Sequence, residues 1–130
     1  MRTQTKLTAA GLRHFEKLLR DQRYDLDIAL GLIGTTLDGV IEARNSGTAD
    51  DEHDPDGPTL TMEWSRISGV HSDLAAKSTG IDQALARIAD GSYGFCTRRG
   101  EPIGRERLEA RPAAELCIDC ARELESQRRA

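Results

Sequence analysis

The sequence predicts a mainly α-helical protein, built as a long antiparallel helical hairpin on a small cysteine-bearing base. Two long stretches without proline, 8–45 and 59–90, carry apolar residues at alternating three- and four-residue spacing. A short polar segment with Pro55 and Pro58 separates them, and the stretch after residue 92 holds all three cysteines. Two long helices joined by a short polar tip fold back antiparallel and bury their stripes against each other. The expected division is an N-terminal segment and hairpin over residues 1–92, then a base with a C-terminal helix over 93–130.

Residues 1–7 read as a loose leader, and Thr8 as the N-cap of the first helix. From Leu12 a seven-residue step meets Leu19, Leu26, Ile33 and Val40. Phe15, Gln22, Ala29 and Thr36 form a weaker second set, with Leu30 and Leu37 widening the stripe. A helix over 8–45 is about 57 Å long at about 1.5 Å per residue. Gly31, Gly34 and Gly39 each weaken it by roughly 1 kcal/mol relative to alanine. They either admit a close partner helix or leave the far half softer. Asn45, Ser46 and Gly47 end it.

The tip, 46–58, is acidic, with five acids from Asp50 to Asp56. The second helix, over 59–90, places Leu60, Trp64, Ile67, His71, Leu74, Ser78, Ile81, Leu85 and Ile88 on one stripe. His71 is read as a seam residue rather than a catalytic one, and Trp64 and Phe15 as seam fillers. A last helix is expected over roughly 113–128, with Cys117 and Cys120 near its start.

At 130 residues this is one domain, or one domain with an extended arm. Apolar residues make up 38% and aromatics 4%, which suits paired helices better than a large core. A net charge of -4 argues against sequence-independent DNA binding, which needs a strong positive excess. No signal peptide and no membrane-length apolar run is evident, so a soluble, cytoplasmic monomer is expected. No paired nucleophile and base and no phosphate loop stand out, so no enzyme is expected.

The base concentrates the chemistry. Cys117 and Cys120 form a C-x2-C pair, and with Cys96 they reproduce C-x2-C-x17-C-x2-C, the pattern of a four-thiolate zinc site, except that position 99 is arginine. This is a degenerate, zinc-finger-like framework with the ligands Cys96, Cys117 and Cys120 and Arg99 in place of a fourth. Structural zinc wants four ligands, and an always-cationic guanidinium repels the metal. Asp119 or a water is a conceivable fourth ligand, although the Asp119 position usually points away. Zinc binding and a metal-free fold with reduced thiols therefore both stay open. A disulfide is disfavoured in a chain without an export signal. Gly91, Gly94 and Gly100 fit the tight turns of such a base.

The stretches YGFC, IGRERLEARP and LCIDC resemble the zinc-finger signature of the DksA/TraR family of RNA polymerase-binding transcription regulators. The hairpin resembles the family in pattern and length. The resemblance implies a protein that docks on RNA polymerase, with the hairpin in the secondary channel and its tip near the catalytic centre. It also implies altered stability of open promoter complexes, often together with ppGpp, as in the stringent response. The family's tip motif, D-x2-D-x-A, fits Asp51 and Asp54, with Asp56 where the alanine belongs. Counting back from Cys96 instead gives His53 and Asp56, with Pro58 at the alanine. The alternative to function is an acidic loop that only aids solubility. Arg98, Arg99, Arg105, Arg107 and Arg111 give the base a positive face, or else pair with Glu101, Glu106 and Glu109; no ppGpp site is assigned. Two further readings stand beside the polymerase regulator: a redox- or metal-responsive three-cysteine switch, with thiol pKa lowered at the start of a helix, and an interaction module of this fold without polymerase regulation.

Overall fold

The computed structural model describes residues 7–45 and 56–129. Its four helices are α1 (Ala9–Asn45), α2 (Asp56–Asp90), α3 (Arg105–Ala110) and α4 (Ile118–Arg129). The class is the expected one, a helical hairpin with a small base. Residues 1–6, 46–55 and 130 lie outside the described residues, and with them most of the leader and tip expected from sequence.

Thr8 caps α1 as its residue type predicts. Its hydroxyl accepts from the Gly11 N–H at 3.0 Å, and its carbonyl accepts from the Leu12 N–H at 2.9 Å. Helix α2 starts at Asp56 rather than Thr59. Pro58 does not prevent this, because the first turn of a helix has no intrahelical partner for the N–H that proline lacks.

The chain forms two compact units. One spans Tyr24–Ser78 and pairs the distal parts of α1 and α2, with Val40, Ile67 and Ser78 buried. On α1 the inward residues are Leu26, Leu30, Ile33, Leu37 and Val40, none of them exposed. The positions expected to alternate with the main row, Gln22 and Thr36, are exposed instead. The stripe thus advances in alternating steps of four and three, a seven-residue repeat whose second row lies four residues after the first rather than three. On α2 all nine predicted seam positions, from Leu60 to Ile88, are buried or half-buried. His71 sits among them half-buried, as a seam residue should.

Gly31, Gly34 and Gly39 do not bring a partner helix close. A Cβ built on any of them meets nothing within 4 Å. Their effect on α1 is the loss of helix propensity alone.

The other unit joins residues 7–23, which include the start of α1, and the end of α2 from Thr79 to the base. Its core is Phe15, Leu19, Ile81, Ala84, Tyr93, Ile103 and Leu108, with Cys96 and Cys120. Phe15 fills this core rather than a plain helix seam: its ring lies 5.9 Å from that of Tyr93, and the Arg105 guanidinium stands 5.5 Å above it. An ion pair from Arg23 to Asp82 and a hydrogen bond between His14 Nε2 and Glu109 (2.9 Å) join elements at the surface of this unit.

Helix α3 was not expected from sequence, and α4 begins at Ile118 rather than near Ala113. Cys117 therefore precedes α4, and only Cys120 lies on it. The Arg107 side chain donates to the Leu116 carbonyl at 2.9 Å, and the Tyr93 hydroxyl to the Pro112 carbonyl at 2.6 Å. These bonds hold the segment between α3 and α4 in a non-helical course.

Candidate metal centre

Two short turns carry the cysteines. Helix α2 ends at Gly91, whose φ of 88° lets the Ser92 and Tyr93 N–H groups return to the Arg87 carbonyl at 2.9 and 3.1 Å. Asp90 accepts from the Ser92 hydroxyl and N–H, which hold its carboxyl below the usual range. The chain then doubles back, with Phe95 bridged to Pro102 and the Cys96 N–H bonded to the Glu101 carbonyl at 2.7 Å. Inside this loop the Gly100 N–H returns to the Cys96 carbonyl at 2.7 Å, at a φ of 73° that glycine adopts without strain.

The second turn repeats the first. The Ala121 N–H returns to the Cys117 carbonyl at 2.9 Å, as Gly100 does to Cys96. The Cys120 N–H points at the Cys117 sulfur at 3.4 Å, and the Arg99 N–H faces the Cys96 sulfur. Position 99 thus stands in the first turn where Cys120 stands in the second. The Thr97 N–H bonds to the Glu115 carbonyl at 2.8 Å and ties the two turns together.

This arrangement brings the sulfurs of Cys96, Cys117 and Cys120 within 4.8 Å of one another. All three cysteines are free thiols; Cys96 and Cys120 are buried and Cys117 half-buried. Thiolates around a tetrahedral zinc with Zn–S near 2.3 Å lie about 3.8 Å apart, so an adjustment of about 1 Å closes the cluster on an ion. Backbone N–H groups aimed at sulfur support the anionic form that a metal needs. The residues fit three corners of a zinc site. Among the described residues no carboxylate or imidazole joins the group, and Asp119 is exposed.

The thiols differ in acidity. Burial raises the Cys96 pKa, but the backbone N–H groups of Cys117, Arg99 and Arg98 and the Cys120 thiol outweigh it and bring it down to about 7. Burial, then the neighbouring Cys117 and Cys96 thiols, push Cys120 up to about 11. The lowered thiol is therefore in the first turn and owes nothing to a helix start, contrary to the expectation for the C-x2-C pair.

Arg99 does not lie unpaired at the missing corner. Its guanidinium donates to Glu123 at 3.3 Å, and Arg98 reaches the other oxygen of the same carboxylate at 3.5 Å. The charge of Cys120, then that of Glu123, holds the Arg99 guanidinium firmly protonated. Glu123 escaped the sequence reading, although it follows Cys120 by one helical turn and so shares its side of α4. Of the other basic residues, Arg105 pairs with Glu109 at 3.7 Å, as the intramolecular reading expected. Asp51 and Asp54 lie outside the described residues, and Asp56 is described only as the first residue of α2.

A profile described as "Prokaryotic dksA/traR C4-type zinc finger" matches residues 91–126. The chain is 53% identical over 49 residues to the RNA polymerase-binding transcription factor DksA of Caulobacter vibrioides, and 50% identical over 40 residues to that of Escherichia coli. Those stretches cover 38% and 31% of this chain but only 34% and 26% of the two relatives. The solved structure of transcription factor DksA2 from Pseudomonas aeruginosa aligns with 94% of this chain and 88% of its own, with a TM-score of 0.77 and 30% identity. The chain belongs to the DksA/TraR family. Within this family's C4-type base, the present chain keeps three of the four thiols and both turns, and carries Arg99 at the fourth corner.

Proposed function

We propose that this DksA/TraR protein is a non-enzymatic transcription regulator that binds RNA polymerase. The hairpin of residues 1–92 enters the secondary channel, and the base, 93–130, rests on the rim. The observation that carries this reading is the likeness to transcription factor DksA2 over nearly the whole chain, hairpin included. Relatives of the base named as RNA polymerase-binding factors support the same partner. The action is occupancy: Asp51, Asp54 and Asp56 bring carboxylates near the catalytic centre, where oxygen ligands suit magnesium and basic side chains. Open promoter complexes then change in lifetime, in a cytoplasmic setting, with the protein acting as a monomer.

Competition for purified core polymerase against a Gre-type channel factor tests this. Mutual displacement supports the channel. Simultaneous binding of both factors contradicts it. Repeating open-complex lifetimes with and without ppGpp tells whether the alarmone is a joint effector.

A second reading rests on the cysteine cluster: a metal- or redox-responsive base, in which loss of the ion or oxidation of the thiols alters the fold that presents the hairpin. Three converging free thiols, one of them with its pKa lowered to about 7, are the observation in its favour. Thiol titration of the protein before and after peroxide, alongside polymerase binding, checks it.

A further inference from the structure

A C4 finger closes all four corners of its zinc with protein thiolates, and closed sites are structural ones. Here the first turn keeps the backbone of a metal-binding turn, with Gly100 bonded to Cys96 as Ala121 is to Cys117, yet position 99 supplies no ligand atom. Arginine has no lone pair to offer a metal. Its guanidinium is drawn to Glu123, at 3.3 Å, and remains 41% exposed, as Arg98 is 45% exposed. The corner facing residue 99 therefore borders an exposed cluster of charged side chains.

We propose that Cys96, Cys117 and Cys120 hold zinc as an open three-thiolate centre, whose fourth position is taken by an exchangeable ligand from solution, and that Arg98, Arg99 and Glu123 form the rim of that position. Charge favours this arrangement. A divalent ion with three thiolates carries one net negative charge, and the two arginines with one glutamate carry one net positive charge. The neutral sum suits water, or a small soft donor that displaces it. Arg99 is then the rim of an access route and not merely the scar of a lost ligand. The proposal does not depend on polymerase binding.

The test uses the full chain, reduced and loaded with cobalt(II), and reads the metal's own absorption. The native chain is expected to show thiolate-to-cobalt charge transfer and tetrahedral ligand-field bands, and the latter shift on addition of imidazole while the charge-transfer band persists. Arg99→Cys is expected to gain about a third in charge-transfer intensity, from a fourth thiolate, and to lose the response to imidazole. It should also give up zinc to a chelator more slowly than the native chain. If Arg99→Cys does not fold, as judged by circular dichroism, the imidazole titration of the native chain decides alone. Failure of the native chain to bind cobalt, ligand-field bands indifferent to imidazole, or stripping of the metal by imidazole each overturns the proposal.

Discussion

Tyr93 fixes the base at a single atom. Its hydroxyl donates to the Pro112 carbonyl at 2.6 Å from a buried position, and burial raises the phenol's pKa. Tyr93→Phe leaves that carbonyl without its partner and is expected to cost about 1–3 kcal/mol in denaturant unfolding. The thiols give the metal-free base a pH dependence whose sign follows from their acidities. Cys96 ionises more readily folded than unfolded, so its contribution is present above the unfolded value near 9.0 and is lost as pH falls through about 7. Cys120 is raised, so its contribution is present below 9.0 and is lost as pH rises through about 11. Urea midpoints of the metal-free chain should therefore rise from pH 7 to pH 9 and fall again toward pH 11. A flat profile would contradict the assignment.

Among the elements, α1 is the one whose sequence works against its structure. Gly31 and Gly39 are exposed in mid-helix, with open space where a Cβ would go. Gly31→Ala and Gly39→Ala should each raise stability by about 0.5–1 kcal/mol. Gly91→Ala, at a φ of 88°, should lower it by about 1–2 kcal/mol. Calorimetry of the three variants checks both signs. The stripes of α1 and α2 were legible because burial on one face leaves a helical period in the residue types. The second row was less so: Leu37 turns inward and Thr36 does not, while Ala29 and Leu30 are both half-buried, and rows three and four residues after a heptad position both flank it. Helix α3, with six residues and only Leu108 buried, carries too few apolar positions to show a period. The two cysteine turns were legible from spacing and glycines. The pairing of Arg98 and Arg99 with Glu123 was not, because it joins a loop to a helix 24 residues away in sequence.

At the scale of the whole molecule, the proposed function has the hairpin occupy a channel of the polymerase and the base rest on its rim. Exposed apolar residues on the distal hairpin, Tyr24, Leu32 and Met62, carry no role in this account. In the proposed function the tip acids carry the regulatory effect and the rest of the chain carries binding, so the two should separate. The measurement that bears most directly on this is open-complex lifetime on a promoter that responds to the native chain, with Asp51, Asp54 and Asp56 all changed to alanine and polymerase occupancy measured in parallel. The account predicts retained binding with the lifetime returned to that of polymerase alone. A triple variant that binds and still alters the lifetime as the native chain does, or a native chain that does not bind core polymerase at all, would contradict it.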